Sequence, residues 1–400
     1  MNSVADNLQS TGAAQALAAL EKIKPKSRDK ALYLLNRGSL KRYTGDLKGS
    51  NADLESAKSI MAALQATSVS ESLAAVTINE TLRSYAGTPS ERILLHEMLA
   101  FNYLQLGDLD GARVEMLQAD VTAQALAKAD SLRGYLASDQ FLSGCIYEMN
   151  GELDNAMISY RRALGIMDQR SLQIPLALQD SLLQISQRQR MTEEYQRYEK
   201  RFSRSAEPLE EGERELLVFY ADGNVSSKQQ NFIPIFSPAI AQPISLALPY
   251  YPPNNYRAQY LNLNVAGKFY RTQPIENIEV LAREDLDEAM PGITAATLLR
   301  ATAKYQTVKA ARDKKEDFAA LLLLVANTVT EQADLRSWNM LPSSLQVARI
   351  RLGAQVDIET LALPNGMNAS NLLSFNRGKT LVLLASSLDR NDRSLAKSTK

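Results

Sequence analysis

Few residues of this chain could make or break a bond. It holds one histidine, His96, and one cysteine, Cys145. A Ser-His-Asp or Cys-His nucleophile system would have to use His96, because imidazole is the base that activates the hydroxyl or thiol. His96 sits between Leu95 and Glu97, and Cys145 sits beside Gly144, on segments of similar helical texture. One reading brings the two together as a catalytic pair. The other, which the surroundings favour, makes His96 a capping or groove-facing side chain and Cys145 a buried packing residue. A lone thiol excludes an internal disulfide, and with a lone imidazole it argues against the common zinc sites. No glycine-rich phosphate cradle appears. The 45 acidic residues leave carboxylate catalysis open, yet no spacing selects two that would flank a glycosidic bond. The expectation is no catalytic residue, no metal and no cofactor.

Arg336-Ser337-Trp338 carries a different kind of chemistry. Trp338 offers a stacking plate and Arg336 a planar fork for a carboxylate or phosphate. Alternatively, Trp338 anchors a helix end against a sheet ahead of Leu341-Pro342, while Arg336 pairs with Asp334 or caps the helix. Asn231 to Pro253 holds Pro234, Pro238, Pro243, Pro249, Pro252 and Pro253 among Phe232, Ile233, Ile235, Phe236, Ile240 and Ile244. It reads either as a core strand between turns or as a partner-docking loop, since proline-rich chain has little ordering entropy left to lose.

The elements that position these residues are announced by three glycines. Around Gly107 stand Ala100, Tyr103, Asp108, Leu109, Ala112, Met116 and Ala119. Around Gly151 stand Gly144, Tyr147, Glu152, Leu153, Ala156, Tyr160 and Ala163 at the same offsets, and around Gly45 stand Gly38, Lys41, Asp46, Leu47, Ser50, Leu54 and Ala57. Glycine accepts the left-handed turn that ends one helix, and the acid after it suits the start of the next. Small residues recur where two helices must cross closely. This pattern resembles the tetratricopeptide repeat, with the copy at Gly151 the best match. The first copy departs from it at Lys41 and Ser50, and none carries the tryptophan common near the repeat start. Gly45 to Gly107 is 62 positions (107 − 45) and Gly107 to Gly151 is 44 (151 − 107), so extra turns or loops separate the copies.

The repeat resemblance implies stacked helix pairs whose first helices line a concave, solvent-facing surface for a protein or peptide partner. The partner-binding candidates there are Asn36, Arg37, Arg42, Asn102, Gln105, Gln140, Ser143 and Asn150, with Arg336 and Trp338 added from the C-terminal half. Residues 1–205 are expected as the helical repeat domain. Within it, 1–30 form an opening helix stopped by Pro25, 68–86 a further helix, and Ile174–Gln187 with Thr192–Phe202 a charged closing pair. Residues 206–388 are expected as a mixed α/β domain, and 389–400 as a disordered tail. In that second domain Glu215–Tyr220, Ile244–Leu248 and Tyr260–Val265 read as strands, with a hairpin at Ala266-Gly267. Ile275–Met290 reads as helix, and Pro291 opens a longer helix to about Asp334. Leu345–Leu352, Val356–Leu363 and Thr380–Ala385 read as strands. The fold class is α+β: an all-α solenoid followed by a mixed β-sheet domain with long helices.

Lys plus Arg equals Asp plus Glu at 45 each, so the totals give no electrostatic footprint for nucleic acid or an anionic membrane. The longest apolar run, Phe318–Ala326, is too short to span a bilayer and reads as a buried helix or an assembly surface. Gly212-Glu213-Arg214-Glu215-Leu216-Leu217-Val218, Leu246-Ala247-Leu248-Pro249-Tyr250 and Ala333–Pro342 together resemble an uncharacterised family of bacterial envelope proteins. That family joins a tetratricopeptide-like half to a β-containing half. The resemblance runs from about residue 28 to 385 and implies no established activity. It implies a lipoprotein of the periplasm anchored at the outer membrane. The leader and lipidated cysteine of that family are missing from this sequence, and are expected to lie outside it. The function expected is a non-enzymatic protein-binding scaffold that could assemble with further copies through its C-terminal half. The alternatives are a cell-wall enzyme using carboxylates of that half and a cytoplasmic repeat regulator.

Overall fold

A computed structural model describes residues 2–6, 8–68, 83–127, 134–237, 242–253, 257–313, 332–358, 361, 363, 367 and 369–388. Its N-terminal half is helical: α1 (Asn2–Asp6), α2 (Leu8–Thr11) and α3 (Ala13–Glu21) precede four helix pairs. These are α4 (Lys30–Tyr43) with α5 (Leu47–Ser68), α6 (Pro89–Gln105) with α7 (Leu109–Leu126), α8 (Ala137–Met149) with α9 (Leu153–Gln169), and α10 (Leu176–Arg188) with α11 (Thr192–Phe202). The chain is a tetratricopeptide-like helical solenoid joined to a mixed sheet, an α+β fold.

Local chemistry makes each pair. Gly107 takes a φ of +75°, and the Asp108 amide reaches back to the Tyr103 carbonyl at 2.9 Å, which closes α6. The Asp108 carboxylate then accepts from the Gly111 amide at 2.8 Å and caps α7. The close crossings fall where small residues recur. A Cβ on Gly144 would lie 2.4 Å from the Tyr160 ring, and one on Gly38 would lie 2.9 Å from Leu54.

The remaining elements are β1 (Arg214–Asp222), β2 (Gln229–Ser237), β3 (Gln242–Tyr250), β4 (Asn262–Val265), β5 (Lys268–Arg271), β6 (Gln273–Asn277), α12 (Ile278–Asp313), β7 (Ser344–Leu352), β8 (Leu373–Phe375) and β9 (Thr380–Ser386). Five strands form one sheet in the order β6-β7-β1-β9-β8; β1 and β9 run parallel and the other neighbours antiparallel. β2–β3 and β4–β5 are separate two-stranded ribbons. Side chains alternate across a strand, so β1 sends Leu217 and Phe219 into one core and Leu216, Val218 and Tyr220 into another. Both faces of the sheet are therefore covered. Leu263 and Val265 of β4 close the second core, and the helical pairs close the first.

Several expectations need correction. The opening helix breaks at Gly12, whose φ of +82° interrupts it. Pro291 does not open a helix but lies within α12, whose other hydrogen bonds carry the helix past the missing N–H. Ile275 to Asn277, expected as the start of a helix, belongs to strand β6. The described residues of 356–363 form no strand, and β8 was not foreseen. Ala333 to Trp338, at the expected end of the long helix, is not helical. Residues 69–82, Phe318–Ala326 and the tail 389–400 lie outside the described residues.

Candidate interaction site

The first helix of every pair meets the sheet or the chain leading into it. Phe219 of β1 packs between Phe101 of α6 and Phe141 of α8, with ring centroids 5.4 and 6.0 Å away. From α4, Ser39 accepts the Trp338 indole N–H at 2.9 Å, and the Tyr43 hydroxyl donates to the Met340 carbonyl at 3.3 Å. The Ala137 amide at the start of α8 donates to Glu276 of β6 at 2.9 Å. Leu217, Phe219, Val347, Val382 and Leu384 share one core with Leu94, Phe101, Phe141 and Leu182. The surface expected to stand open for a guest is filled by the chain's own sheet.

Charge locks this contact. Arg349 of β7, with a side chain 3% exposed, donates to Glu148 of α8 at 3.0 and 3.1 Å, to Ser181 of α10 at 2.6 Å and to Glu215 of β1 at 2.7 Å. Burial opposes ionisation of Glu148, but Arg349 and Arg188 outweigh it and hold this carboxyl below its usual range. At Glu215 burial prevails over Arg349 and pushes the carboxyl up. A second acidic group lies between α6, α8 and β6. Burial pushes Glu97 and Glu276 up and lifts Asp139 to about 7. Glu97 Oε1 and Asp139 Oδ1 have no hydrogen-bond partner.

The sequence-predicted residues divide between this sealed interior and one opening. Asn36, Asn102, Gln140 and Ser143 were expected to face solvent and are instead buried, at 0, 0, 2 and 4% exposure. Arg37 pairs with Asp53 across its own helix hairpin at 2.5 Å, and half-buried Asn150 makes a long 3.4 Å bond to Glu152. Arg336 joins Asp334 at 2.6 Å and Asp29 at 3.0 Å, and Trp338 is 1% exposed with its amide on Glu91 at 2.7 Å. The Arg-Ser-Trp segment thus clamps the strand side to the α4 and α6 pairs; the expected Arg336–Asp334 pair is present, but Trp338 anchors irregular chain and not the helix end that was expected. Arg42, Asn102 and Gln105 do come together. Arg42 donates to Asn102 Oδ1 and lies over the Phe101 ring, 5.6 Å from its centroid. Arg42 and Gln105 then border a small hollow of about 40 Å³, floored by Met98, Phe101, Phe219 and Leu384. Gln105 Oε1 is buried and has no hydrogen-bond partner.

His96 and Cys145 are engaged separately. The His96 ring bridges Glu115 at 2.8 Å and Thr122 at 3.3 Å. Cys145 accepts from the Tyr160 hydroxyl at 3.4 Å, and burial pushes its thiol up to about 12, far from the reactive thiolate range. Among the described residues, no three His, Cys, Asp or Glu side chains converge as metal ligands, and no helix is long and apolar enough to cross a membrane. Sequence reasoning missed the Glu148–Arg349–Glu215 network. Its one local signal is Arg349 inside an otherwise apolar strand.

No known family matches the chain, and no curated protein does. Among solved structures it is similar to MamA, with 14% identity over 50% of this chain and 92% of that one and a TM-score of 0.34. A kinesin light chain of Podosopora anserina with TPR-like repeats gives 17%, 50%, 91% and 0.35 in the same order. A Rap protein complexed with Competence and Sporulation Factor gives 15%, 47%, 45% and 0.31.

Proposed function

We propose that the protein is a non-enzymatic interaction scaffold of the bacterial cell envelope, tethered by a lipid anchor, and that it holds an extended polypeptide at the Arg42–Gln105 hollow. The envelope setting rests on the sequence resemblance alone. The observation that supports the binding role is the apolar floor of Met98, Phe101, Phe219 and Leu384 beneath Arg42 and Gln105. The polar rim offers hydrogen bonds to a peptide backbone, and the floor takes the tip of an apolar side chain. Two alternatives are carried by less. A carboxylate enzyme would need two free acids in one cleft of the C-terminal half; Glu284, Asp285 and Glu288 of α12 do line one cleft, but there Glu284 pairs with Arg170 at 2.8 Å and Asp285 accepts the Ser90 amide at 3.1 Å. The outer face of α7 exposes Val114, Leu117 and Val121 at 47, 42 and 66%. That spacing puts them on one stripe, which favours a second docking face.

Photo-cross-linking in the native cell tests this. A photoreactive residue at Gln105 should capture one discrete polypeptide, and Arg42→Ala should weaken the capture several-fold. Capture from Val121 but not from Gln105 would move the site to α7, and capture from neither position would end the scaffold reading.

A further inference from the structure

The whole-chain charge balance conceals a local imbalance. Between Asp222 and Glu276 the sequence holds no acidic residue, and its only charges are Lys228, Arg257, Lys268 and Arg271. Within that span β2 exposes Phe232 at 55%, Ile233 at 40% and Phe236 at 64%. Phe232 and Phe236 share one face of the strand and Ile233 points to the other, so β2 meets its surroundings on both faces. At the ribbon's base the Tyr250 hydroxyl donates to Gln229 at 3.0 Å, and Lys228 Nζ lies 5.8 Å from the Tyr251 ring centroid. Aromatic hydroxyls and a cation thus border a stretch without charge.

The prolines say what kind of surface this strand meets. In an antiparallel ladder, alternate residues point their N–H at the partner strand and the rest point it outward. Pro234 stands opposite Ser245, Pro243 opposite Phe236 and Pro249 opposite Gln230. All three pairs belong to the same alternate set. The nine-residue register is unbroken, so that set is the outward one. Proline therefore removes an outward donor at the middle of the β2 edge. Edges are commonly guarded by charge or by proline. A charge would repel an apolar phase, whereas proline discourages a further strand and leaves apolar contact unhindered.

We propose that β2, through Phe232, Ile233 and Phe236 with Lys228 at its base, docks on the interface of an anionic lipid bilayer. This surface is separate from the hollow at Gln105 and does not depend on it. Shallow apolar side chains supply the burial, and the four cations of 223–275 supply attraction to the headgroups, the acid at the ribbon's base, Glu279 of α12, being paired with Arg283.

The test is co-sedimentation of the whole chain with vesicles of phosphatidylcholine, with and without phosphatidylglycerol. The chain should pellet with the anionic vesicles and more weakly with the neutral ones. Phe232→Ser combined with Phe236→Ser should lower that partition at least about tenfold. Because both rings are exposed, the urea unfolding midpoint should not move, which separates lost docking from lost folding. Raising the salt concentration should weaken pelleting on the anionic vesicles alone. Absence of pelleting with either vesicle, or a double variant that pellets like the parent, overturns the proposal. So does self-association without lipid that the double variant abolishes, which would assign β2 to a second copy.

Discussion

Replacing Arg349 with Leu should reveal how the sheet is held in the solenoid. The side chain is 3% exposed and serves Glu148, Ser181 and Glu215, which lie on α8, α10 and β1. Leucine leaves two buried carboxyls facing each other without their shared cation. Breaking a buried ion pair by removing one member costs about 3–5 kcal/mol, mostly because the remaining charge is uncompensated. That full loss is expected at pH 8. In the parent, the depressed Glu148 carboxyl contributes stability that is present above its unfolded pKa and is lost only as pH falls through the folded one. In the variant both carboxyls shift upward, so their stability is lost as pH rises instead. The penalty should therefore shrink at pH 5, where the orphaned carboxyls can take up protons. Urea titration read by Trp338, the only tryptophan, measures this from within the contact. Adding Glu148→Gln and Glu215→Leu should recover more than half of the loss. A cost under about 1 kcal/mol at pH 8, or an equal cost at both pH values, would refute the reasoning.

Two other perturbations test neighbouring parts of the same contact. Glu91 completes a capping box with Thr88 and also receives the buried Trp338 amide. Glu91→Ala should cost about 2–3 kcal/mol in urea unfolding, against about 0.5 kcal/mol for Asp110→Ala on exposed α7 surface. Asp139, lifted to about 7, contributes stability that is full below its unfolded pKa near ~4 and lost as pH rises through 7. Asp139→Asn should remove that decline, worth on the order of 4 kcal/mol between pH 4 and 9, and unchanged pH dependence of the unfolding midpoint would contradict the assignment.

The helix pairs were legible because their signals are local. A glycine that must turn left-handed, an acid that caps, and a small residue opposite a large one 16 positions on (Gly38 and Leu54, Gly144 and Tyr160) all lie within one hairpin. The strands at 214–222, 262–265, 344–352 and 380–386 were legible from apolar runs or alternation. The covering of the inner face was not. Asn36, Asn102, Gln140 and Ser143 read as solvent-facing because polar side chains usually are. Nothing nearby in sequence says that a sheet beginning only at Arg214 lies over them. A hint was present in Leu216–Tyr220 and Leu381–Ala385, apolar at every position, since such strands need cover on both faces. Pro291 misled for the opposite reason: a local helix-start signal was overridden by the long helix around it.

The account's central claim is that the inner face of the solenoid is closed by the chain's own sheet. Ser143, 4% exposed and expected from the sequence to line an open groove, reports on it directly. In a Cys145→Ala background, Ser143→Cys supplies one thiol at that face, and its rate of labelling in native buffer decides the matter. Labelling that stays orders of magnitude below the rate of a free thiol, and rises with urea only as the whole protein unfolds, is the predicted result. Labelling near the free-thiol rate without denaturant would show an open trough and contradict the claim.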